Sequence, residues 1–138
     1  MSTTQTPDLE RALSVLGRAV PSLVAVYLFG SSSSGHATPS SDIDLAVLAR
    51  EAVDPLVRFH GAQDVAQAVG RDVDLIDLRS ASPVMAMQVL ASGRVLLDLD
   101  PVARGAFEDR VFGAYARLNE ERRGILERVK AEGTVYGR

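Results

Sequence analysis

An unbroken apolar run, Leu-Val-Ala-Val-Tyr-Leu-Phe over Leu23–Phe29, stops at Gly30-Ser31, and ten residues later Asp42-Ile43-Asp44 opens a second apolar run. The first run has the length of a strand and is rich in β-branched and aromatic types, so it reads as a central strand buried on both faces. Residues 31–41 hold six serines, a glycine and a proline. That composition suits a linker, but the stretch is too short and too closely bracketed by strands to be one; it reads as a turn.

The remaining punctuation is legible. Thr6-Pro7 is a cap followed by proline at the first helical position, and Leu9, Ala12, Leu13 and Leu16 recur at helical spacing until Gly17, where the pattern is expected to stop. Residues 42–48 form the second strand. Asp54-Pro55 opens a helix to about Val69, residues 72–78 form the third strand, and Ser82-Pro83 opens a helix that ends near Gly93. Residues 94–97 make a short fourth strand, and Asp100-Pro101 opens the last helix. In that helix Val111, Ala114, Tyr115 and Leu118 keep one apolar stripe, and Ile125 and Val129 continue a thinner one suited to a partner. Gly105, Gly113 and Gly124 each weaken it by about 1 kcal/mol relative to alanine, and a break is expected at one or more of them.

At 138 residues, 46% hydrophobic and 24% charged, the chain fits one globular domain able to bury about two-thirds of its unfolded surface. The expected class is α/β (α+β): a mixed sheet of about four strands flanked by helices. A core over residues 8–100 would carry a C-terminal helical extension over 101–132. A formal net charge of -3 offers no basic stripe for nucleic acid. The chain has no cysteine, which removes disulfides and thiolate metal sites. The polar N-terminus and the lack of any membrane-length apolar run point to a cytoplasmic protein.

Side chains alternate across a strand, so Asp42 and Asp44 point one way while Ile43, Leu45 and Val47 point the other, into core. Unpaired, two such carboxylates repel, and a divalent cation between them removes the conflict. Magnesium suits them, because it is held by one or two carboxylates together with substrate phosphates and waters. On the third strand Asp72, Asp74 and Ile76 share a face, and Asp77 falls on the other with Val73 and Leu75. Asp74, mid-strand, is the candidate to complete the cluster, and either to accept the proton of an attacking hydroxyl or to orient that hydroxyl beside a metal. Asp72 reads as solvated, and Asp77 as a cap or partner near Arg79. Gly30 lets the backbone pass close to a phosphate, and Ser31 offers a hydroxyl and N–H groups to its oxygens.

Each of these features has a plainer counterpart. A lone Asp-x-Asp is common in surface turns, and a serine-rich stretch is ordinarily loop. Aspartate inside an apolar strand is harder to dismiss, because an unpaired buried charge costs several kcal/mol. His36 and His60 have no partners at ligand spacing. Tyr27 and Phe29 read as core.

Residues 28–31, 41–47 and 73–78 together closely resemble the minimal nucleotidyltransferases of the DNA polymerase beta superfamily. The resemblance implies that Gly30, Ser31, Asp42, Asp44 and Asp74 bind nucleotide and one or two Mg2+ ions. It further implies an antitoxin that transfers AMP from ATP to a tyrosine of a HEPN ribonuclease toxin, its cognate partner, and silences it. In one place the chain departs from the pattern: Ser33-Ser34 stands where family members often carry a small residue and an arginine before the glycine that is Gly35. About forty residues follow the core, well below the usual size of a domain, so the acceptor is expected in trans. The alternatives are an antitoxin that acts by occlusion alone, and transfer to a small hydroxylated molecule.

Overall fold

In a computed structural model of the chain, which describes residues 7–30 and 42–136, the first apolar run forms β1 (Leu23–Phe29) and lies inside a sheet. Every residue of β1 after Leu23 is buried. Such a strand needs a neighbour on each edge, and β1 pairs antiparallel with β2 (Ile43–Ala49) on one side and with β4 (Arg94–Asp98) on the other. On its far side β2 pairs in parallel with β3 (Val73–Asp77). The sheet is therefore mixed and four-stranded, in the order β3-β2-β1-β4, with β3 and β4 at its edges. The parallel step requires a crossover, which α2 (Pro55–Val69) supplies.

The helices divide between the two faces. α1 (Pro7–Ala19) and α2 cover one: Leu9, Ala12 and Leu16 of the first and Val65 and Val69 of the second pack on Val26, Leu28, Leu45, Val47 and Leu75. α3 (Pro83–Ser92) and α4 (Pro101–Tyr136) cover the other, where Ala86, Val89, Phe107 and Val111 meet Tyr27, Phe29, Ala46 and Leu48. The expected caps form. Asp54 accepts from Leu56 N, Ser82 from Met85 N and Asp100 from Ala103 N, each one residue before its proline. The Tyr27 hydroxyl donates to Glu108 Oε2 at 2.8 Å, and Arg104 links Glu108 to Asp98 at 2.9 Å each, so α4 is tied to β1 and β4. Burial, and then the Glu108 carboxylate, raise the Tyr27 pKa and keep the phenol protonated.

Two expectations about glycine are corrected. α1 does not stop at Gly17 but runs to Ala19, because Val20 is buried one turn beyond Leu16 and its N–H bonds to the Leu16 carbonyl at 2.9 Å. α4 is one unbroken helix of 36 residues through Gly105, Gly113 and Gly124, and it continues past residue 132 to Tyr136. Helix propensity is a weak preference, and the buried anchors Phe107 and Val111 outweigh it near the sheet. At 1.5 Å per residue α4 spans about 54 Å, so its second half extends beyond those anchors. There Ile125, Leu126 and Val129 are exposed. No helix among the described residues is long and apolar enough to cross a membrane.

Candidate active site

The carboxylate end of the sheet follows from strand register. Phe29, the last residue of β1, lies opposite Asp44 on β2, and Asp44 lies opposite Asp74 on β3. Alternation places Asp44 and Asp74 on the face that carries Ala46 and Ile76, the α3 and α4 side. Asp42, two residues ahead of Asp44, has the same parity just before β2 begins. Asp42 and Asp74 are exposed and Asp44 is half-buried between them.

These three charges feel one another. The Asp44 pKa is raised first by burial, then by the Asp74 carboxylate, then by that of Asp42. Among the described residues no three carboxylate or imidazole side chains converge as a ready-made metal cage. A magnesium site completed by substrate phosphates and water does not need one. The oxygen-only donor set and its clustered negative charge fit that ion.

Gly30 makes the second wall. Its φ is +74°, and a Cβ there would overlap Asp44 Oδ2, so only a glycine backbone passes this close to the carboxylate. The close approach leaves the turn after β1 and the carboxylate head of β2 in one small volume. Gly93 presses on the same end of β1 from below: a Cβ there would lie 2.6 Å from the Val89 carbonyl and 2.8 Å from that of Leu28. Reading the sequence finds Gly93 only as a helix end, and no local signal gives its second role.

Asp72 is exposed as expected, with its carbonyl accepting from Ile43 N at 2.9 Å. Asp77 is buried on the opposite face from Asp74 and accepts from Val53 N, Arg79 N and Ser80 Oγ, which makes it a structural cap. His60 sits exposed on α2 with its ring edge-on to Phe59. Ser31, the Ser33-Ser34 departure, Gly35 and His36 lie outside the described residues.

Reading the sequence missed a groove away from the carboxylate face. It measures about 390 Å³ and is lined by Phe59, Ala62 and Gln63 of α2 and by residues 72–75 of β3, with α2 on the sheet face opposite the Asp44 and Asp74 carboxylates. The available signal was apolar residues off the buried stripe of α2: Leu56 and Phe59 are 67% and 53% exposed, while Gly61, Val65 and Val69 face the sheet.

The family model described as polymerase beta, nucleotidyltransferase, matches residues 14–102. A curated relative, the protein adenylyltransferase MntA of Shewanella oneidensis, is 39% identical over 121 residues, which cover 88% of this chain and 86% of the relative. Among solved structures, a toxin–antitoxin with AMP-PNP superposes with a TM-score of 0.77 at 38% identity, covering 88% of this chain and 97% of that one. A tri-AMPylated Shewanella oneidensis HEPN toxin in complex with its MNT antitoxin gives 0.75 at 36% identity, covering 91% and 98%.

Proposed function

The chain belongs to the polymerase beta nucleotidyltransferase family, and on that premise we propose that it is an antitoxin that transfers AMP from ATP to a tyrosine hydroxyl of a cognate HEPN toxin. The observation that carries this reading is the row formed by Gly30 just after β1, Asp44 on β2 and Asp74 on β3, with Asp42 at the same end. Residues 8–100 form the catalytic core in this reading, and ATP as donor puts the reaction in the cytoplasm.

The tyrosine oxygen attacks the α-phosphorus of ATP and forms a new O–P bond. The bond from that phosphorus to the bridging oxygen breaks, and pyrophosphate leaves with the electron pair. Asp74, exposed at the sheet edge, takes the phenolic proton. Asp42 and Asp44 would hold Mg2+, and Asp74 would be a ligand where a second ion binds; an ion held there would offset the charge of the triphosphate and of the leaving pyrophosphate. The backbone of Gly30, with Ser31 after it, receives phosphate oxygens. Positioning and charge neutralisation supply most of the acceleration in such transfers, which accords with so small a chain.

Incubation with labelled ATP, magnesium and the product of the neighbouring gene tests this. The neighbour becomes labelled, and the Asp42→Asn, Asp44→Asn double variant leaves it unlabelled. Equal labelling by the double variant refutes the mechanism.

A second reading is favoured by the exposed Ile125, Leu126 and Val129 on the projecting half of α4: neutralisation by occlusion alone. In that case the double variant still suppresses the toxin at equal expression. Loss of suppression while the complex persists excludes it.

A further inference from the structure

We infer that the tyrosine of the partner protein enters over the outer edge of β3 on the carboxylate face, and that a pocket between Ile76 and the start of α3 seats it. The inference rests on the transfer reading above and adds the place from which the acceptor arrives.

Asp74 and Ile76 are two residues apart on β3, so alternation puts both on the face covered by α3 and α4. On that face Ile76, Ala81 and Met85 pack against the core that contains Tyr27, Phe29, Ala46 and Leu48. A pocket of about 330 Å³ opens beside them, with Ile76, Ala81, Ser82 and Met85 in its lining. Arg58 reaches it round the edge from α2, and its Nη1 donates to the Leu75 carbonyl at 3.1 Å. Asp77 and Ser80 complete the lining and are bonded to each other at 2.8 Å.

Two residues of strand span about 7 Å. A tyrosine side chain lying along Ile76 covers that distance, so its hydroxyl meets Asp74 while the backbone that carries it stays over the pocket. Across this face the order is the Gly30 turn, Asp44, Asp74 and then the outer edge of the sheet. Displacement at phosphorus requires the attacking and leaving oxygens to be roughly in line on opposite sides. With pyrophosphate leaving toward the Gly30 turn, the attacking oxygen comes from the β3 edge.

The chemistry of the pocket selects its occupant. Its volume is in the range of ordinary ligand sites and suits one aromatic side chain with its flanks. Ile76 and Met85 are only partly buried, so both remain open to contact, and a thioether makes favourable contacts with aromatic rings. The hydroxyls in the lining are already engaged, Ser80 Oγ with Asp77 and Ser82 Oγ with Met85 N. An apolar seat of this kind beside a carboxylate suits a phenol better than a small molecule with many hydroxyls.

Steady-state transfer to the full-length partner tests the assignment with two variants: Met85→Ala, which removes one wall, and Ala81→Leu, which fills the seat. Melting curves fix a temperature at which both variants and the unmodified chain are folded. The expected result is a KM for the partner raised by about tenfold or more, as for loss or obstruction of an interface anchor, with the KM for ATP within twofold. Val84→Ser, at a 44% exposed position on α3 outside the pocket, leaves both constants unchanged. Normal transfer by the unmodified chain with an unchanged partner KM in both pocket variants would overturn the subsite alone. A raised KM for ATP in place of the partner effect would give the pocket to the nucleoside and overturn it equally. No transfer by the unmodified chain would remove the function itself, and the subsite with it.

Discussion

Asp44 faces Asp74 directly across the parallel ladder of β2 and β3, and its carboxylate also lies against the backbone of Gly30. One half-buried side chain thus joins the turn that would receive phosphate to the edge strand that carries Asp74, the candidate base. The first consequence concerns the glycine. Gly30→Ala places a Cβ on Asp44 Oδ2 at a positive φ, so either the turn or the carboxylate must move. A displacement near 1 Å at a reacting centre costs about a hundredfold, and AMP transfer to the partner is expected to fall at least that far. Calorimetric titration with an ATP analogue should show weakened binding. Transfer within a fewfold of the unmodified chain would mean that the Gly30 turn does not contact the nucleotide.

The same carboxylate sets a pH dependence. Its folded pKa is raised by burial and by the Asp74 and Asp42 charges, so between the unfolded and folded values the folded chain still holds a proton that the unfolded chain has lost. Stability therefore falls as pH rises through that window and stays reduced at neutral pH. Without added metal, Asp44→Asn should melt above the unmodified chain at pH 7, and the gap should close on acidification. Solvent screening of a half-exposed group limits the gain to about 1–3 °C. Magnesium should raise the Tm of the unmodified chain more than that of the variant. Identical pH profiles for the two proteins would contradict the electrostatic account.

Asp74 and Asp42 should fail differently. If Asp74 takes the proton, Asp74→Asn lowers kcat by about 10²–10⁴ while the KM for ATP changes little. If Asp42 holds the ion that accompanies ATP, Asp42→Asn should raise the KM for ATP. The two substitutions, compared under saturating magnesium, separate proton transfer from nucleotide binding. A matching loss in both parameters for both variants would reduce the three aspartates to one undivided metal site.

Much of this arrangement was legible because its signals are local. The bounds of β1 follow from an apolar run closed by Gly30, and the starts of α2, α3 and α4 follow from Asp54-Pro55, Ser82-Pro83 and Asp100-Pro101. Alternation alone put Asp42 and Asp44 on one face and separated Asp74 from Asp77. Ladder register was not legible, since the opposition of Asp44 and Asp74 depends on how the α2 crossover returns the chain. The exposure of Phe59 was hidden for a related reason: α2 buries Gly61, Val65 and Val69, and periodicity does not say which remaining apolar residues the sheet leaves uncovered. Gly17 and Gly124 were misread because tertiary anchoring and helix continuity override a penalty of about 1 kcal/mol.

Asp77 supplies the contrast that separates chemistry from fold on a single strand. It lies on the opposite face of β3 from Asp74, is 5% exposed, and accepts from Val53 N at 2.8 Å, Ser80 Oγ at 2.8 Å and Arg79 N at 3.1 Å. Those bonds fix the approach to α2 and the turn that leads to α3. Asp77→Ala leaves the buried Val53 N–H without its acceptor, and unsatisfied buried donors cost about 1–3 kcal/mol each. A total loss of about 2–4 kcal/mol is expected, seen as a fall of roughly 8 °C or more in Tm. At a temperature where the variant is still folded, its KM for ATP should match that of the unmodified chain, because no part of the carboxylate row faces that side of the sheet. Asp74→Asn should do the reverse and leave Tm nearly unchanged while transfer collapses. If instead Asp77→Ala melted normally and lost transfer, the assignment of these two aspartates to opposite faces with opposite roles would be wrong.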